Sequence, residues 1–197
     1  KSTATGVRVA SQLAWISLAC LAVGMILGAI SLLLVGDKYW EVAGRIPNRG
    51  LWFALAELLF SMACLAIYAG FWNRLLNLPW LAHLIALASV TNLLYHFPPL
   101  MFVLRQLASG SLHASSEPLD RAALLEHFYR AEIVAPWLHF VLAAVAVAGG
   151  MTLWLLARSS GGENENKPTR VVAGIVFVAS FLQLPTGLWL LTTIPNH

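Results

Sequence analysis

The amino-acid sequence predicts an all-α fold: a polytopic membrane helical bundle with five transmembrane helices and one interfacial amphipathic helix, in a single integral membrane domain spanning residues 1–197. Three observations carry this reading. Hydrophobic residues make up 59% of the chain and charged residues only 11%, against about 25% charged in an ordinary soluble domain. Five apolar stretches, near 9–35, 50–72, 79–104, 134–157 and 171–194, each provide the roughly 20 helical residues that a hydrocarbon core requires. Trp40, Trp52, Trp72, Trp80, Trp137 and Trp189 fall near the ends of these stretches, as interfacial aromatic belts would place them.

The first stretch is too long for a signal peptide and has no small-residue cleavage site after it, so it reads as a retained membrane helix. Residues 36–49 read as a loop. The second span carries Glu57, the one acidic residue inside any span. The third holds His83 and His96, and Pro98-Pro99 should interrupt its hydrogen-bond ladder and bend it. The extramembrane segment 105–133 contains 117–132, which opens with Glu117-Pro118 and reads as a helix lying on the membrane surface. Leu124, Leu125 and Phe128 would face lipid or protein there. Asp120, Arg121, Glu126 and Arg130 would stay wet, with His113 and His127 solvated. The polar run within 158–170 reads as a flexible loop before the fifth span.

The net charge of +3 comes from scattered loop residues rather than a basic stripe, which argues against nucleic acid as a partner. Six Lys and Arg lie on each predicted side, so their count alone sets no orientation. The dense Arg158, Lys167, Arg170 group favours a cytoplasmic N-terminus, in a multi-pass protein of a cell inner membrane. Cys20 and Cys64 form neither a disulfide framework nor a metal-ligand spacing. There is no phosphate-binding loop, C-x-x-C-H haem attachment site or dinucleotide fingerprint.

The informative residues are those expensive to place in lipid, where an ionisable group marks a functional site by default. At about 1.5 Å per residue, Glu57 lies roughly 10 Å below the side opposite the N-terminus. By the same measure His96 lies about 12–14 Å, His139 about 8 Å, Gln183 about 16 Å and Thr186 about 12 Å from that side. Four helices therefore contribute polar groups to one half of the membrane. His96 and His139 sit on consecutive antiparallel spans, and two imidazoles so placed can supply both axial ligands of a haem b. Ala143, Ala144, Ala146, Gly149 and Gly150 leave room beside span four, and Tyr95, Phe97 and Phe140 can pack near a porphyrin. Each residue also has a plainer reading. The histidines can bond carbonyls one turn away, the small residues can permit close helix contact, and Gln183 and Thr186 can join helices. Glu57 can be a buried hydrogen-bonding acid instead of a proton-exchanging one.

The stretch from Leu81 to Leu104, with His83 near its start and Tyr95-His96-Phe97-Pro98-Pro99 near its end, resembles the first helical motif of HemJ-type protoporphyrinogen oxidases. It is similar also to CopD-like copper-resistance membrane proteins. That family closes the helix with Tyr-Leu-Pro-Arg, and this chain has no arginine at the corresponding place. The resemblance implies haem held by His83. The run Pro136-Trp137-Leu138-His139 through Gly149-Gly150 resembles a haem-bearing helix of cytochrome bd subunits, and the run from Gln183 to Leu191 is similar to a Thr-Gly helix ending in CopD-like proteins.

The leading expectation is a membrane-bound b-type cytochrome, or haem-containing subunit, transferring electrons to or from quinone. His96 and His139 would ligate iron, Glu57 would exchange a proton, and Gln183 or Thr186 would bond the quinone. The lipid bilayer and other subunits of a respiratory or redox complex are the expected partners. Two alternatives stay open: a copper or non-haem iron site built from two histidines and Glu57, and a cofactor-free structural subunit.

Overall fold

The computed structural model describes residues 4–34, 36–44, 46, 48–95, 97–110, 119–159 and 166–193. Every element among them is a helix: α1 (Ala4–Leu34), α2 (Gly36–Ala43), α3 (Asn48–Gly70), α4 (Trp72–Leu75), α5 (Pro79–Tyr95), α6 (Phe97–Ala108), α7 (Arg121–Phe128), α8 (Ala131–Ser159) and α9 (Asn166–Thr193). Five stretches are long and apolar enough to cross a membrane: Thr5–Leu34, Leu51–Gly70, Pro79–Ala108, Ala131–Ser159 and Lys167–Thr193. Each boundary falls within four residues of its place in the sequence reading. Leu33, Leu34, Val147, Phe177 and Leu188 stand exposed on these helices, a surface that hydrocarbon solvates and water does not.

The chain forms two compact units, one from the described residues of Lys1–Ile16 and Ala135–Asn196, the other from those of Ser17–Val134. In the second unit, α3 and α5 pack side by side, joined through α4. The buried residues of α3 (Ala54, Glu57, Leu58, Ser61, Cys64 and Ala69) recur mostly at three- and four-residue intervals, the spacing of one helix face. Ser89 of α5 donates its hydroxyl to the Ser61 carbonyl at 3.1 Å, a bond that small side chains on both helices permit.

Span three is helical on both sides of residue 96, which lies outside the described set: α5 runs up to Tyr95, and α6 opens with Phe97, Pro98 and Pro99. α6 then buries Pro99, Leu100, Val103, Leu104 and Leu107 along one face. Gly110 closes it at φ +72, a left-handed conformation that glycine adopts without steric cost.

That face of α6 is the centre of the largest apolar cluster. Val42 and Ile46, Ala54 of α3, Leu124 of α7 and Ile133 of α8 complete it. The stretch read as a 36–49 loop therefore contains a helix, α2. Its polar residues hide from the sequence the apolar contact made by Val42.

The surface helix is shorter than its predicted 117–132 span. It begins at Asp120, whose Oδ1 accepts from the Ala123 amide at 2.7 Å, and residues 117 and 118 lie outside the described set. Aspartate is a strong N-cap because its short carboxylate reaches the otherwise unsatisfied amides of the first turn. Arg121, Glu126 and Arg130 are exposed as expected, with Arg130 and Glu126 3.7 Å apart. His127, expected in water, is instead buried with Leu124.

In the first unit, α8 and α9 approach closely at Gly149. A Cβ there would overlap the Cγ2 methyl of Val176. Val9 of α1 packs with Leu155 and Leu156 of α8, flanked by Leu13, Ile16 and Met151. Of the expected 158–170 loop, residues 158–159 continue α8 and 166–170 open α9, while 160–165 lie outside the described set.

Candidate functional site

The polar residues singled out from the sequence divide between the two units. Glu57 and His83 belong to one, and His139, Gln183 and Thr186 to the other. His96 falls between α5 and α6 and lies outside the described residues, as does His113.

Glu57 sits on the buried face of α3, 9% exposed. One turn further on is Ser61, fully enclosed, its hydroxyl without a hydrogen-bond partner among the described residues. A carboxyl and a hydroxyl one turn apart lie on the same helix face. They form a short polar strip inside an otherwise apolar hairpin, beside the Ser89–Ser61 bond.

His83 is exposed, and its Nδ1 lies within hydrogen-bonding distance of the Pro79 carbonyl. A carbonyl only accepts, so in this contact Nδ1 is the donor. The ring is therefore oriented by the first turn of its own helix.

His139 is placed differently. It projects from α8 toward α9 at Gly187, where a Cβ would meet the His139 Cε1 at 3.6 Å and Nδ1 at 3.8 Å. The imidazole edge therefore lies over the α9 backbone at Gly187, at a distance that would leave room for a single methyl. Nδ1 is enclosed there and has no hydrogen-bond partner among the described residues.

Thr186, adjacent to Gly187, is 9% exposed. Its hydroxyl lies 2.8 Å from the Leu182 carbonyl and 3.2 Å from that of Gln183. Its proton is thus committed to its own helix, and only its lone pairs remain to accept. Gln183 is half-buried and keeps its amide donors.

The small residues of span four serve two purposes. Gly149 gives close contact with Val176, so its space is filled by protein, whereas Gly150 has open space where a Cβ would stand. Phe140 and Tyr95, considered as porphyrin neighbours, are both exposed. Among the described residues, no group of three His, Cys, Asp or Glu side chains is placed to hold a metal ion.

His127 is the polar residue the sequence reading missed. Burial pushes its imidazole below the ordinary value, Arg130 adds to that shift, and Glu126 opposes it. Its Nδ1 is enclosed without a partner among the described residues. The available signal was its position three residues after Leu124, which puts both on one helix face.

No family model, curated protein or solved structure matches the chain.

Proposed function

We propose that the chain is a haem b protein of a membrane, exchanging electrons with a quinone, with His139 and His96 as the axial ligands. The observation that carries the reading is the state of His139. Its ring lies against the α9 backbone at Gly187, with one enclosed nitrogen lacking a partner among the described residues. Buried polar atoms are nearly always bonded, so an orphaned one calls for an explanation such as a further group at the site. A ligating histidine ordinarily has its other ring nitrogen hydrogen-bonded, so the unpartnered Nδ1 of His139 is the atom that a further group at the site would satisfy.

Haem, when bound, would supply one-electron chemistry tuned by its axial ligands and surroundings. The protein's own part is to orient His139, to exclude water with the apolar walls of α8 and α9, and to handle protons. Glu57 is the proton-exchanging candidate, as the carboxyl placed inside a span. Gln183 is the candidate donor to a quinone carbonyl, since the Thr186 proton is already used within α9. The Arg158, Lys167, Arg170 group supports a cytoplasmic N-terminus in a cell inner membrane, and the neighbours would be subunits of a redox complex.

A reduced-minus-oxidised spectrum of gently purified protein tests the assignment, repeated on His139→Ala, His96→Ala and His83→Ala. A low-spin b-type spectrum lost or converted to high spin in the first two variants is expected. An unchanged spectrum in both overturns the ligand pair. Loss in His83→Ala alone moves the haem to the position that the HemJ resemblance implies.

A further inference from the structure

A cleft of about 430 Å³ opens where the N-terminal turns of α1 meet the C-terminal turns of α8, lined by Arg8, Gln12, Trp154, Leu155, Arg158 and Ser159. Both helices belong to one compact unit, and the Val9–Leu155–Leu156 contact forms the apolar floor behind the cleft. We propose that this cleft binds the phosphate of an anionic phospholipid headgroup.

The chemistry of the lining points to an anion. Two guanidiniums, an amide and a hydroxyl converge on one opening, and no carboxylate lines it. Among the described residues, neither Arg8 nor Arg158 has an acidic partner. The Arg158 guanidinium carbon stands 4.6 Å from the centre of the Trp154 ring. Stacking on an indole holds one face of the guanidinium by cation–π attraction. The N–H edge stays free for the two-pronged bonding that suits phosphate oxygens.

The position points to a lipid. Arg8 and Arg158 lie near the ends of two stretches long and apolar enough to span a membrane, at the level where headgroup phosphates reside. Trp154, half exposed beside them, is an interfacial residue type. Basic pockets between membrane helices at this level are the usual form of an anionic headgroup site. Two arginines that merely snorkel to water would need neither a shared cleft nor an indole to orient one of them.

The test is thermal unfolding of the full chain in neutral detergent, titrated with a short-chain phosphatidylglycerol, a short-chain phosphatidylcholine or inorganic phosphate. The anionic lipid should raise the melting temperature at concentrations where the other two have little effect. In Arg8→Gln/Arg158→Gln the apparent affinity should fall at least about tenfold, as expected for losing charged hydrogen bonds. Arg170→Gln, an exposed arginine outside the cleft, should respond as the unmodified chain does. If the double variant does not purify, Arg8→Gln carries the test, and its affinity should fall by itself. Equal responses to both lipids overturn the proposal, as does an undiminished response in the arginine variants. Inorganic phosphate matching the anionic lipid overturns the lipid as occupant in favour of a free anion.

Discussion

The side-chain amide of Gln106 donates to the backbone carbonyl of Glu132 at 3.1 Å, and that carbonyl is the one that Pro136 leaves without a helical donor. In α8 the carbonyl of residue 132 would ordinarily accept from the amide of residue 136, which proline lacks. A residue on α6 thus repairs a gap in a different helix and ties the apolar cluster to the start of α8. Gln106→Ala should lower stability by about 0.5–1.5 kcal/mol. In a Pro136→Ala background the helix supplies its own donor, so the same substitution should cost markedly less. Equal losses in both backgrounds, by denaturant melts, would show that the two residues are uncoupled.

His127 should make the packing of α7 acid-sensitive. Its folded-state imidazole titrates below the ordinary 6.5, burial being the first cause. The unfolded chain therefore binds the proton more readily, and its contribution is complete above pH 6.5. That contribution falls as pH drops from there toward the folded value. A His127→Gln variant should show a flatter stability profile between neutral pH and about 5. An unaltered profile would place the acid sensitivity elsewhere.

Gly149 should tolerate no side chain while Val176 stays in place. The added Cβ of Gly149→Ala would overlap a valine methyl, and overpacking of this kind costs about 1–3 kcal/mol. Val176→Ala should restore much of the loss in the double variant. A Gly150→Ala control, with open space at its Cβ, should melt like the unmodified protein.

Gly187 separates helix packing from ring placement. An alanine there would touch His139 at ordinary contact distances, so Gly187→Ala should leave any haem spectrum unchanged. Gly187→Leu should displace the imidazole and shift the spectrum toward high spin. Identical spectra from both variants would detach His139 from the haem reading.

The five long helices were legible because hydrocarbon imposes one requirement, a long apolar helix, that composition reveals directly. α2 was not legible. Its sequence from Gly36 to Ala43 is broken up by the charged Asp37, Lys38 and Glu41, and its buried Val42 finds partners on α6, some sixty residues later. Burial of His127 was missed for a related reason, as a surface segment looks solvated until the cluster that it covers is known. At the candidate site, the polar residue types and spans were readable. The back-bonding of the Thr186 hydroxyl and the pairing of His139 with a glycine on another helix were not, because they depend on rotamer and helix rotation.

The length of the third stretch has a consequence for how this protein fits a bilayer. The 30 residues from Pro79 to Ala108 would make a straight rod of about 45 Å, well beyond a typical hydrocarbon thickness of about 30 Å. The surplus is covered by protein: Leu100, Val103, Leu104 and Leu107, toward its far end, are buried in the largest apolar cluster. One apolar run thus serves both as a crossing rod and as the keystone of that cluster, and its hydrophobic length overstates what lipid has to match.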